Sequence, residues 1–179
     1  MYFVTGNKGK FIAAQKLIPG LEQADLDPPE IQSDSNEEIA VYSVRHAFRQ
    51  LKMPCFVDDA GFYLKALNGF PGTYSRYVLD TIGNTGVLKL MEGVEDRSAW
   101  FEACIAYHDG KEVRVFKGRV DGTMATEARG GQYGNFGFDP VFVPEGREKT
   151  FAEDMEHKDR VSHRRKALDA FLTFLAKPL

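Results

Sequence analysis

A chain of 179 residues with 43% hydrophobic and 27% charged side chains can bury a sizeable core, as one domain of ordinary size or a compact two-lobed one. Its formal charge of −3 is a poor basis for gripping long nucleic acid through phosphates, although a local positive patch could hold a small anion. No apolar run approaches the ~18 residues of a membrane span, and the two cysteines, Cys55 and Cys104, lie in apolar runs that suit buried thiols rather than a disulfide or a zinc site.

In chain order, "MYFVT" (1–5) reads as a buried strand and "GNKGK" (6–10) as a turn into the helix "KFIAAQKLI", which Pro19-Gly20 stops. The opening residues enter that strand without the pattern of a signal peptide, so a cytoplasmic location is expected. "LEQADLD" reads as a strand and "PPEIQSDS" as a loop. Ser35-Asn36-Glu37-Glu38 fits a capping box and opens a helix to about Lys52, with Ala40, Val44, Ala47, Phe48 and Leu51 at helical spacing. Met53-Pro54 ends it, and Cys55-Phe56-Val57 follows as a short buried strand ending in Asp58-Asp59. "NGFPG" (68–72) is a turn cluster, followed by two short helices, "TYSRYVLDTI" and "NTGVLKLMEG". "SAWFEACIAY", the Asp109-Gly110 turn and "KEVRVFKGRV" predict a hairpin. "EARGGQYGNFG" is a glycine-rich loop, "FDPVFVP" a short strand and "SHRRKALDAFLTFLA" the last helix. Alternating strands and helices followed by a hairpin predict one α/β domain over 1–179, a mixed sheet flanked by helices.

Four stretches carry chemistry. "TGNKGK" joins a strand, a glycine turn and a helix start, which presents backbone N–H groups to an anion, with Lys8 and Lys10 adding charge. It is not a Walker A loop, because Phe11 stands where Ser or Thr is needed. In "VDDAG" two like charges sit side by side and repel unless a cation lies beside them. A hard divalent cation rests on one or two carboxylates plus substrate phosphates, and Asp58 and Asp59 suit it, with Glu30 as a third carboxylate. "GNFGFDP" (134–140) offers glycines for close backbone approach and Phe136 or Phe138 for stacking on a flat base. "HKDRVSHRRK" (157–166) puts cations at the start of the last helix, where the helix dipole gives them nothing, so an anionic ligand is the better reason for them.

Together, "TGNKGK", "VDDAGFYLKALNGFPGTYSRY", "GNFGFDPVFVPEGREKTFAEDM" and "KDRVSHRRKAL" resemble the inosine/xanthosine triphosphate pyrophosphatase family, in the family's order and over nearly the whole chain. The resemblance implies an elongated α/β fold with a long mixed sheet, two lobes and a central nucleotide cleft. It implies a homodimer that needs Mg²⁺ and hydrolyses ITP, dITP and XTP to the monophosphate and pyrophosphate. It places phosphate binding on Thr5, Gly6, Asn7, Lys8, Gly9 and Lys10, and the proton acceptor on Asp59. The metal ligands are then Glu30 and Asp59, with Asp58 beside them. Nucleotide contacts fall on Ala60, Arg76, Phe136, Gly137, Phe138, Asp139, Lys158, His163 and Arg164. Ala60 stands where many members have Ser or Thr, so only its backbone can serve. Ser43 stands where many carry a lysine, and Arg45 lies on a different part of the helix turn.

Two other classes compete with an enzyme: a nucleotide sensor using the same pocket without turnover, and a nucleic-acid module using the 157–166 cluster. The negative net charge weighs against the second. A small-molecule substrate, with no nucleic acid and no membrane, is the expectation.

Overall fold

The computed structural model describes residues 1–26, 28–29, 31–130 and 137–176. Its strands form a seven-stranded sheet in the order β2 (Glu22–Ala24), β1 (Tyr2–Val4), β3 (Cys55–Leu64), β5 (Ser98–His108), β6 (Val113–Met124), β7 (Phe142–Pro144), with the short β4 (Pro71–Gly72) also paired to β3. Two compact units divide the chain: Met1–Asp59 with Ala103–Gly118 and Lys166–Leu179, and Ala60–Glu102 with Arg119–Arg165.

In the first unit, β1 (Tyr2–Val4) runs parallel to β2 (Glu22–Ala24) and to the start of β3 (Cys55–Leu64). A parallel strand between two neighbours is covered on both faces and so reads as a continuous apolar run. Alternation decides which residue meets which cover. Val4, Cys55 and Val57 pack with Ala40, Val44 and Ala47 of α2 (Asn36–Leu51). Phe3 and Phe56 stack at 4.4 Å, and Phe56 meets Phe171 of α6 (His163–Leu175) at 5.1 Å. Ser35 caps α2 by accepting from the Glu38 N–H, one half of the predicted capping box, while the Ser35 N–H donates to Ser33 Oγ and the Glu38 carboxylate accepts from the Ser33 hydroxyl. Both cysteines are buried thiols, and burial pushes Cys55 up to about 11.

In the second unit, the later half of β3 pairs antiparallel with β4 (Pro71–Gly72). Gly61 is required there, since a Cβ would lie 2.6 Å from the Gly72 carbonyl oxygen. The Ser75 hydroxyl accepts from Phe62 N–H and donates to Gly72 O, which fixes the entry into α3 (Ser75–Thr81). α4 (Gly83–Leu90) follows, and Val78 and Val87 join Phe62, Phe101, Phe138, Phe142 and Phe151 in one core. β5 (Ser98–His108) and β6 (Val113–Met124) each run through both units, and β7 (Phe142–Pro144) pairs antiparallel with the end of β6.

Several boundaries differ from expectation; in the strand read at "FDPVFVP", Asp139–Val141 form a 3-10 turn and only Phe142–Pro144 are extended. β3 does not stop at Val57 but continues to Leu64, so the aspartates lie within the strand. α1 spans Lys8–Gln15 and begins earlier than predicted, because the Asn7 side chain accepts the Lys10 N–H and caps it. The basic run does not open one helix. Asp154 caps α5 (Met155–Val161) through the His157 N–H, and Ser162, in an extended conformation, separates it from α6.

Candidate active site

The first cluster lies wholly in the first unit. Thr5 Oγ1 accepts the Asn7 N–H at 3.1 Å, and Asn7 Oδ1 accepts the Lys10 N–H at 3.0 Å. The N–H groups of Lys8 and Gly9 have no acceptor among the described residues, so the first turn of α1 presents donors beside the Lys8 ammonium. Gly6 lies close to Asp25, whose Oδ1 would be 3.4 Å from an added Cβ. The Lys10 ammonium donates to the Asp58 carbonyl oxygen at 2.8 Å and sits 3.7 Å from the Asp58 carboxylate. That carboxylate is 2% exposed, so the cation beside the aspartate pair is partly built into the chain. Lys10 thereby ties the glycine loop to β3 at the position of Asp58 and Asp59.

The second cluster lies wholly in the second unit. Asp139 is buried and ion-paired with Lys158. Burial pushes its carboxyl above the ordinary value, while Lys158 and Arg164 pull the other way. His163 is also buried and lies flat on Phe101, with ring centres 4.6 Å apart. Phe138 stacks on Phe62 at 4.7 Å in the core, so this residue has its backbone, not its ring, to offer a ligand. Gly137, at φ +60, adopts the left-handed conformation that glycine tolerates.

Arg76 pairs with Asp80 on the exposed surface of α3. Ala60 is half-buried, the residue after Asp59 in β3. Glu30 and Phe136 lie outside the described residues. Sequence reasoning passed over Asn84, whose side-chain amide donates to Gly137 O at 2.9 Å. Nothing in "GNTGVL" signals a contact made across 53 positions. Phe101, under His163, carries no signal in the sequence beyond its place in a strand.

Among the described residues no three Asp, Glu, His or Cys side chains form a metal cluster. Asp58 and Asp59 are nevertheless oxygen donors of the type Mg²⁺ takes when substrate phosphates complete its shell. The pair fits a cation shared with substrate rather than an all-protein cage.

A model of the Ham1 family matches residues 1–174. The chain belongs to the Ham1 family. It is 48% identical to the dITP/XTP pyrophosphatase of Thermococcus kodakarensis, over 99% of this chain and 97% of that one. It is likewise 48% identical to the dITP/XTP pyrophosphatase of Methanopyrus kandleri, over 94% of this chain and 92% of its relative. Among solved structures it resembles the Staphylococcus aureus Ham1 protein at a TM-score of 0.86, with 30% identity over 98% of both chains. The family member from Coxiella burnetii gives 0.85 at 30% identity, over 99% of this chain and all of that one.

Proposed function

We propose that this Ham1 protein hydrolyses dITP, ITP and XTP to the nucleoside monophosphate and pyrophosphate, with Mg²⁺, as a cytoplasmic homodimer. Near-full-length identity of 48% to a dITP/XTP pyrophosphatase carries this reading. The tie from the glycine loop to the aspartate strand through Lys10 supports it, because transfer of the nucleotidyl group to water, with pyrophosphate leaving, is served by a phosphate cradle beside a carboxylate base. No helix among the described residues is long and apolar enough to cross a membrane.

In this mechanism the Lys8 and Gly9 N–H groups and the Lys8 ammonium hold the β- and γ-phosphates. Lys10 serves the same anion from its seat on Asp58. Asp59 orients a water molecule and accepts its proton as the oxygen attacks the α-phosphorus. The bond between that phosphorus and the bridging α,β oxygen breaks, and pyrophosphate leaves within the loop. Asp59, with Asp58 and Glu30, would hold Mg²⁺, which would supply positive charge for the phosphate oxygens. Asp139, Lys158, His163 and Arg164 hold the nucleoside, joined by Phe136 and by the backbone of Gly137 and Phe138. Ala60 contributes only its backbone, and Arg76 supplies a surface cation.

The test is phosphate release from dITP, XTP, GTP and ATP, with and without inorganic pyrophosphatase. Phosphate from dITP and XTP is expected only when the second enzyme is added. Direct orthophosphate release, leaving a diphosphate, overturns the reading. Binding without turnover at saturating magnesium selects the sensor instead.

A further inference from the structure

Asn84 sits in the first turn of α4, and its side chain reaches the turn that delivers Phe138 and Asp139. Its Nδ2 donates to Gly137 O at 2.9 Å, while its Oδ1 is buried with no hydrogen-bond partner among the described residues. Buried polar atoms are as a rule paired. The reversed amide would set oxygen against the Gly137 carbonyl oxygen, so the donor contact fixes the orientation. An apolar residue of this size would fill the space without an orphaned oxygen; what the asparagine adds is the donor.

That donor holds one end of a peptide plane. Across a trans peptide the carbonyl and the following N–H point in opposite directions. Pulling Gly137 O toward α4 therefore aims the Phe138 N–H the other way. This N–H has no acceptor among the described residues. The Phe138 ring on Phe62 and the Asp139 pair with Lys158 hold the rest of the turn.

We propose that Asn84 is a positioning residue for base selection, which sets the Phe138 N–H to donate to the purine O6 oxygen. The inference rests on the nucleotide pyrophosphatase reading. Hypoxanthine and xanthine present an oxygen at that position, whereas adenine presents an amino donor that would face another donor.

The experiment measures kcat/KM for dITP and dATP in the wild type, Asn84→Leu and Asn84→Ala, with inosine monophosphate titrated into ¹⁵N-labelled wild type. The dITP-to-dATP preference should fall about three- to tenfold in both variants, the range of one neutral hydrogen bond, mainly through KM. The Phe138 amide resonance should move on adding inosine monophosphate. An unchanged preference in folded variants, or a silent Phe138 amide despite binding elsewhere, overturns the positioning role alone. A wild type that neither hydrolyses dITP nor binds inosine monophosphate overturns both readings.

Discussion

Asp58 and Asp59 are neighbours in β3, two like charges side by side in one strand. The Asp58 carboxylate faces Lys10, which lowers the cost of holding two like charges in one strand before any metal binds. That separation of roles leaves Asp59 as the base. Asp59→Asn preserves shape and removes the proton acceptor, so turnover should fall at least ~100-fold, the lower bound for base catalysis. Circular dichroism should show the fold retained, and turnover near the wild-type level would move the base elsewhere. Asp139 gives a pH-dependent counterpart. Burial raises its pKa from an ordinary 3.8, so its neutral form favours the native state at low pH. That contribution is lost as pH rises from the ordinary value through the raised one. Lys158 opposes the shift, and Lys158→Met should push Asp139 further upward. The variant should lose up to about 3–5 kcal/mol at pH 8, where a buried carboxylate has lost its partner. The deficit should narrow as pH falls and Asp139 takes up a proton. Urea titrations at pH 5 and pH 8 measure the difference, and an equal deficit at both removes Asp139 as the cause.

Elements whose termini carry their own chemistry were legible in the sequence. Ser35 and Glu38 mark the start of α2, and Ser35→Ala should cost about 1 kcal/mol in urea unfolding as the Glu38 N–H loses its acceptor. The β5–β6 hairpin was equally readable, because Asp109 accepts the N–H groups of both Lys111 and Glu112. The site motifs were legible as stretches, but contacts across the chain were not: Lys10 to Asp58 spans 48 positions and Asn84 to Gly137 spans 53. The length of β3 was hidden because Asp58, Asp59 and Ala60 break the apolar run, though the strand passes straight through them. α5 was hidden because no buried residue on it gives a helical period, and its start depends on one Asp154 side chain. Gly122 shows a constraint that composition cannot reveal. A Cβ there would collide with the Val143 carbonyl oxygen and come within 2.8 Å of the Phe142 ring. Gly122→Ala should therefore loosen β7 from β6 and destabilise by about 1–3 kcal/mol, the usual range for overpacking. A variant as stable as wild type would show that β7 shifts at little cost.

At the scale of the whole molecule, the two units are interleaved in sequence rather than joined by a linker. The chain passes from one to the other at Asp59–Ala60, Glu102–Ala103, Gly118–Arg119 and Arg165–Lys166. The first three passages lie inside β3, β5 and β6, and the fourth inside α6. Independent domains are usually bounded by exposed linkers where few contacts cross, and no such boundary is available here. Melting one unit would fray three strands and a helix that continue into the other. A single cooperative transition is therefore expected. Trp100, the only tryptophan, reports on the second unit, while far-UV circular dichroism reports on both. Phe56 reports on the first, buried between Phe3 and Phe171. Phe56→Leu should cost about 1–3 kcal/mol as a core substitution. With a urea slope of about 2 kcal/mol per molar, that shifts the midpoint by roughly 0.5–1.5 M. The Trp100 and circular dichroism midpoints should move together, although the substitution is in the unit that lacks the tryptophan. A Trp100 transition that stays in place while the circular dichroism curve splits would show that the shared strands do not couple the units.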